Sequence, residues 1–358
     1  MKIVFLCRFF YPHIGGVEKH VMEISKRLIK KGHEVTVITE MPAAVSDSKK
    51  RLLRFEKLEL ALTESVNGIK IYRIFNGGED KFKKFRIWKE MLRLQKVIQN
   101  ADVVHCHDVF FWYLPFRFLY PQKPVYTTFH GYERYPITKS AIRVRKLSEK
   151  LSWGNICIGD FIPKWYGTKA TIVSYGGVDV KRIDSRFREN DGLKIKKDSA
   201  VFIGRLDEQT GVLAYTKAIE IMRKKYPKFD LTIVGDGKQR SWVEKKFKVL
   251  GFQEDTEKYF PQYHFAFVSR YLSILEAFAA RKLVFAVYDN PVKEDYLRMA
   301  PYAIWIVIEK DPTKLAEKIG YYLQHPKKEK EMTDKAYLWV KEQTWEEMVN
   351  IYIKLWNL

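Results

Sequence analysis

A carboxylate in apolar sequence needs a partner, because removing it unpaired from water is costly. Glu276 is in that position, near the middle of SRYLSILEAFAARKLVFA, Ser269 to Ala286. Two readings fit. Ser273 and Glu276 have the S-x-x-E spacing of a capping box, in which each side chain satisfies a backbone N–H of the first helical turn. Alternatively, a helix starts here against a ligand, and Glu276 grips the ligand's hydroxyls.

Other residues could meet an anion. Gly15 and Gly16 separate a strand-like run from a helix-like one, so backbone can approach a negative group at a helix start. Arg205, in GRL after an apolar run, has the planar fork suited to phosphate. Gly235 and Gly237, in VGDG, make a loop without side-chain bulk. Each has a plain structural alternative: a tight turn, a surface ion pair, a second turn. His105 and His107 alternate along a strand and point to one face, and Asp108 follows them. A metal site would need further ligands, and none is evident at suitable spacing. His130, before Gly131 at another strand end, could hold a substrate hydroxyl or move a proton, or could simply cap the strand.

These residues require a scaffold that brings strand ends together. KIVFLC, YPHIGG, VEKHVMEISKRLIKKG and HEVTVIT read as strand, turn, helix and strand. The order restarts near Ser199 with SAVFIG, RLDEQTG, VLAYTKAIEIMRKKYP and FDLTIVGDG. Such units demand parallel pairing with right-handed crossovers. The fold class is therefore α/β, with two Rossmann-like doubly wound parallel-sheet domains, and the strand ends open on a cleft. The expected boundaries are residues 1–182 for the first domain and 183–340 for the second, with 341–358 as a C-terminal helix. The polar run Val180 to Ala200 is the expected linker.

The chain has 358 residues, more than one ordinary core accommodates, and 46% are hydrophobic. No apolar run reaches the length of a membrane span, and the N-terminus does not read as a signal peptide. The three cysteines, Cys7, Cys106 and Cys157, are widely spaced, as expected of buried thiols in the cytoplasm. There is no G-x-G-x-x-G after the first strand and no P-loop motif, which disfavours nicotinamide-dependent and P-loop chemistry.

The net charge of +21 favours anionic partners. KFKKFRIWKEMLRLQK, from Lys81 to Lys96, holds seven basic residues and one acid. On a helix, Phe82, Phe85, Trp88, Met91, Leu92 and Gln95 form a broad face, with Lys83, Lys84 and Arg86 beside it. This is the pattern of a helix lying on an anionic membrane, and also of a surface helix packed on its own domain. No basic motif of a nucleic-acid module is present elsewhere, so nucleic acid is not an expected partner.

Taken in order, the motifs resemble glycosyltransferase family 4, which has the glycosyltransferase-B fold. The resemblance rests on FFYPHIGGVEKHVMEISKRLIKKGHEVTVIT, VVHCHD, TTFHGYE, IVSYGGVD, FIGRLDEQTG, LTIVGDG, LSILEAFAARKLVFA and QTWEEMVNIYIKLW. It implies sugar transfer from a nucleotide-diphosphate donor to a glycan or lipid-linked acceptor, with retention and with no metal or other cofactor. Glu276 matches the second glutamate of the E-x7-E signature, which binds the donor ribose. Arg205, Gly15 and Gly16, and amides around Leu272, Ser273 and Ile274, match groups that meet the diphosphate. His130 matches a histidine near the donor sugar, and the final helix is implied to pack on the first domain.

Two positions depart from the family pattern. Thr210 stands where a lysine is usual, and Val268 where the first glutamate would fall. Arg270 is a candidate for the charge missing at Thr210. The expected activity is that of a cytoplasmic, membrane-associated glycosyltransferase working on cell-envelope glycans. The alternatives are an epimerase or phosphorylase of the same fold, or a non-catalytic basic protein binding membrane or nucleic acid.

Overall fold

The computed structural model describes residues 1–13, 15–41, 63–78, 80–189 and 196–357, with backbone alone at 186–189. Its contacts divide the chain into two units, Met1–Ser174 with Met348–Leu358, and Tyr175–Glu347.

Among the described residues, the first unit holds an eight-stranded sheet. Its strands are β1 (Lys2–Cys7), β2 (Glu34–Glu40), β3 (Thr63–Val66), β4 (Ile69–Ile74), β5 (Val103–His107), β6 (Val125–Phe129), β7 (Gly154–Ile158) and β8 (Ile172–Ser174). The order is β3-β4-β2-β1-β5-β6-β7-β8, and all pairs but β3–β4 are parallel. Both faces of β1 and β5 are buried, which makes β1 a nearly continuous apolar run, while β5 carries His105 and His107 into the interior. Cys7 pairs with His107, and His107 with Thr128. This register brings the loop after β1, Asp108 and His130 to one edge of the sheet.

The helix Gly16–Lys30 packs Val21, Ile24 and Leu28 inward, with His20 on the same buried face. The β3–β4 hairpin turns at Asn67 and Gly68, with φ of 53° and 80°. These are the left-handed positions of the tight hairpin turn that Asn-Gly favours.

The second unit has a parallel sheet of β9 (Lys196–Ile203), β10 (Asp230–Val234), β11 (Lys248–Val249), β12 (Tyr263–Phe267), β13 (Leu283–Val287) and β14 (Ile306–Glu309). The order is β11-β10-β9-β12-β13-β14. Parallel pairing gathers the turns after β9, β10, β12 and β13 at one end. The core beneath combines Phe202, Leu231, Phe265 and Phe285 from the sheet with Tyr215 and Ile219 from the helix Val212–Met222.

The expected linker is corrected. Val180–Glu189 is a helix, and Lys196–Ile203 is β9, while 190–195 lie outside the described residues. The Asp179 carboxylate accepts from the Arg182 amide at the helix start, and Ile183 is fully buried. One cap and an i, i+3 apolar pair are enough to order a run that looks merely polar.

Candidate active site

In the second unit, Arg205 stands on the turn after β9. Its guanidinium reaches Asp207 at 3.2 Å and donates to the Gln209 side-chain carbonyl at 3.3 Å. Arg270, at the end of the β12 turn, donates to the same Gln209 oxygen at 2.7 Å. Residues far apart in sequence thus place two guanidinium groups on one carbonyl. Arg205 is exposed and Arg270 half-buried. Thr210 is buried and has no outward reach: its hydroxyl bonds the Arg205 carbonyl at 2.5 Å and the Asp207 carbonyl at 2.9 Å.

Arg270 is also the N-cap of the helix Tyr271–Ala279. The capping-box reading is corrected here, since the helix starts ahead of Ser273 and no side chain caps it. The Tyr271 amide donates to the Tyr296 hydroxyl at 2.8 Å, and the Ile274 amide to the Arg270 carbonyl at 2.9 Å. That removes Ile274 from the expected anion-facing amides. Leu272 and Ser273 remain, half-buried and without a hydrogen-bond partner among the described residues. Glu276 follows one turn later on the stripe of Leu272 and Ser273, and is 5% exposed. Val268, where the first signature glutamate would fall, is fully buried at the end of β12.

Gly235 and Gly237 serve the Arg205 turn directly. The Gly204 amide donates to the Val234 carbonyl and the Leu206 amide to the Asp236 carbonyl, zipping the two turns together. At Gly235 φ is +148°, and a Cβ would lie 1.8 Å from the Gly204 carbonyl oxygen. Only glycine allows this approach.

In the first unit, Gly15 is the extended N-cap of the helix Gly16–Lys30. Glu18 folds back over it and pairs with His13 at 3.0 Å. Beneath lies a network the sequence did not reveal. Trp356 Nε1 donates to His105 Nδ1 at 3.1 Å; His105 Nε2 meets Thr128 Oγ1 at 2.7 Å; Thr128 meets Tyr352 Oη at 2.9 Å; and Tyr352 meets His20 Nε2 at 2.9 Å. An indole N–H can only donate, so His105 must accept at Nδ1 and carry its proton at Nε2. The hydroxyls of Thr128 and Tyr352 then pass the donor direction on to His20.

His107 Nδ1 and His130 Nε2 are 2.8 Å apart, and His107 Nε2 has no partner among the described residues. A bare lone pair is cheaper to bury than an orphan N–H, so the His107 proton sits on Nδ1. His130 accepts it and is left with an Nδ1–H of its own to offer. Burial lowers the proton affinity of His20, His105 and His107 well below the usual range, and neighbouring rings add to it. Burial, then His105 and Arg145, push His130 down to about 3. All four rings are neutral near pH 7.

The His130 amide donates to the Asp108 carboxylate at 3.2 Å. Beside Asp108 is a cavity of about 290 Å³, lined by Glu133, Arg134, Thr138, Ser140 and Arg145 among others. Arg145 lies over the Tyr166 ring at 3.8 Å.

The sequence profile of Glycosyltransferase Family 4 matches residues 14–182, and that of Glycosyl transferases group 1 matches residues 197–325. The chain belongs to glycosyltransferase family 4. It is similar to the phosphatidyl-myo-inositol mannosyltransferase of Propionibacterium freudenreichii, at 26% identity over 72% of this chain and 67% of the relative. The corresponding protein of Mycobacterium tuberculosis is also 26% identical, over 66% of this chain and 61% of its own length. Among solved structures, a glycosyltransferase from Rickettsia africae superposes with a TM-score of 0.70 at 17% identity, covering 99% of this chain and 97% of its own. An Anabaena protein in complex with UDP and glucose gives 0.70 at 15% identity, covering 99% and 98%. Two parallel-sheet α/β domains of the glycosyltransferase-B type are the family fold, as expected.

The basic segment of this family 4 glycosyltransferase differs from its expected helical face. The segment forms two helices, Lys83–Arg93 and Gln95–Asn100, which bury Ile87, Met91 and Ile98. Phe82, Phe85 and Leu92 are exposed instead, because the core takes the neighbouring stripe. Lys83 pairs with the buried Glu40 at 3.1 Å. Arg86 donates to the Asn76 carbonyl at 2.6 Å and pairs with Asp80 at 2.9 Å. Trp88 donates to the Phe111 carbonyl at 2.7 Å. Of the four residues expected at a membrane, Lys84 alone is exposed, with Phe85 beside it. No described helix is long and apolar enough to cross a membrane.

Proposed function

We propose that the protein moves a sugar from a nucleotide-diphosphate sugar to a lipid-linked acceptor of cell-envelope glycan synthesis, retaining the anomeric configuration and using no metal. The observation that carries this reading is the meeting of Arg205 and Arg270 on Gln209, at the start of the helix bearing Glu276. Glu276 receives hydrogen bonds from the donor ribose hydroxyls, a charge-assisted pairing. The two guanidinium groups and the Leu272 and Ser273 amides stabilise the diphosphate as it leaves. Those fixed charges take the part a divalent cation would otherwise play.

The second unit is the donor side and the first the acceptor side. There His130 offers its Nδ1–H to the transferred sugar, and the cavity beside Asp108 receives the acceptor's polar head. A phosphoinositide or a diphosphate-linked polyprenol is the acceptor class, in keeping with the names of the mannosyltransferase relatives. The protein works on the cytoplasmic face of the membrane, held by Lys84, Phe82 and Phe85.

The test supplies UDP- and GDP-sugars with vesicles carrying phosphatidylinositol or a polyprenyl-diphosphate sugar, with and without a chelator. An axial donor giving an axially linked lipid, undiminished by chelator, is expected. An inverted product, or loss of turnover on chelation, would overturn the stereochemical or metal-free part. Hydrolysis without transfer to any lipid would overturn the acceptor class.

A further inference from the structure

Lys293 belongs to the first turn of the helix Pro291–Arg298, where its amide donates to the N-cap Asn290 side chain at 2.9 Å. Its side chain is 1% exposed. The ammonium donates to the Ser269 carbonyl, one residue ahead of the N-cap Arg270, and lies over the Tyr296 ring at 4.1 Å. Ser269 in turn donates its hydroxyl to the Thr210 carbonyl at 3.1 Å. One serine thus joins Thr210, Arg270 and Lys293.

Neither Lys293 nor Arg270 has a carboxylate at ion-pair distance among the described residues. Asp207 and Asp289 act on Lys293 only through space, against Arg270. Burial and Arg270 together hold the lysine's proton affinity well below its usual range. An ammonium withdrawn from water without a counter-ion is unfavourable, and a nearby guanidinium makes it more so. An arriving anion would remove that cost.

We propose that Lys293 is a third cation for the donor diphosphate, supplying from the helix after β13 the charge that this chain lacks at Thr210. This rests on the nucleotide-diphosphate reading above. The ligand is the diphosphate of a nucleoside diphosphate, met by Arg205, Arg270 and Lys293 around the half-buried Leu272 and Ser273 amides at the helix start. The charge has moved in sequence while staying at the same end of the sheet.

Calorimetric titration of UDP, UMP, GDP and GMP into the intact protein tests the assignment, with Lys293→Met and Lys293→Arg compared to the parent. Methionine fills the space without the charge, and equal thermal unfolding temperatures verify that the fold persists. Lys293→Met should weaken the diphosphates about ten- to a hundredfold, as loss of a charged hydrogen bond does, and the monophosphates much less. Lys293→Arg should recover part of the loss. Equal weakening of mono- and diphosphates, or no weakening, would overturn the role of Lys293 while leaving the nucleotide reading intact. Failure of the parent protein to bind either diphosphate would overturn both.

Discussion

Acidification should unfold the first unit before ordinary carboxylate titration begins. His20, His105, His107 and His130 have proton affinities below the usual histidine value of 6.5, from burial above all. The unfolded chain therefore binds protons that the folded one refuses. Stability is complete above pH 6.5 and falls as pH drops towards the folded values, about 3 for His130. Each such histidine costs about 1.4 kcal/mol per pH unit below 6.5. For His130 alone, with a folded value of about 3, the loss between pH 7 and 5.5 is about 1 kcal/mol, and the other three rings add to it in the same direction.

Asp108 works in the other direction. Burial raises it to about 6 despite Arg145, but 36% of its side chain is exposed. After solvent screening it returns less than about 1 kcal/mol. Urea unfolding followed by tryptophan fluorescence at half-unit pH steps would measure the slope. A His107→Gln variant should flatten it by about a quarter. Stability unchanged from pH 7 to 5.5, or an unaltered slope in the variant, would refute the neutral network.

Glu276→Ala should weaken UDP by about 1.5–3 kcal/mol, the worth of hydrogen bonds to a charged group, and abolish discrimination against 2′-deoxy-UDP; titration of both nucleotides reads the difference. Gly235→Ala should destabilise by roughly 3 kcal/mol or more, visible as a large fall in Tm, because its Cβ meets the Gly204 carbonyl at 1.8 Å. Gly15→Ala should cost far less, since the obstacle there is the movable end of Glu18. In pelleting with anionic vesicles, Lys84→Glu combined with Phe85→Ser should lower binding severalfold at unchanged Tm. Lys83→Ala should instead lower Tm, because the buried Glu40 would keep, among the described residues, only the Asn76 amide at 2.6 Å and the more distant Arg8 at 3.7 Å.

The repeated strand–helix–strand opening was legible because both halves are buried parallel sheets with apolar runs and glycine turns. Arg205 and His130 stood out as polar residues at the ends of such runs, and Glu276 as a carboxylate inside one. The β3–β4 hairpin had its own signal in Asn67-Gly68, a two-residue turn that lies outside the strand–helix–strand pattern. The helix at Val180–Glu189 was hidden by its charge. Ser273 and Glu276 matched a capping box by spacing, but the helix begins ahead of them because the Tyr296 hydroxyl takes the Tyr271 amide. That contact is long-range and leaves no local trace. The same holds for Gln209, Lys293 and the Trp356–His105–Thr128–Tyr352–His20 chain. Their meaning lies in partners that the fold alone supplies.

Tyr352 and Trp356 belong to the unit that begins at Met1. During translation, the N-terminal half therefore leaves the ribosome with its histidines still short of two partners. It must wait, incompletely closed, through synthesis of the entire second unit. A premature stop codon a few positions ahead of Tyr352 would spare every residue of the second unit and yet injure the first. The first unit is thus completed by residues made only after the whole of the second.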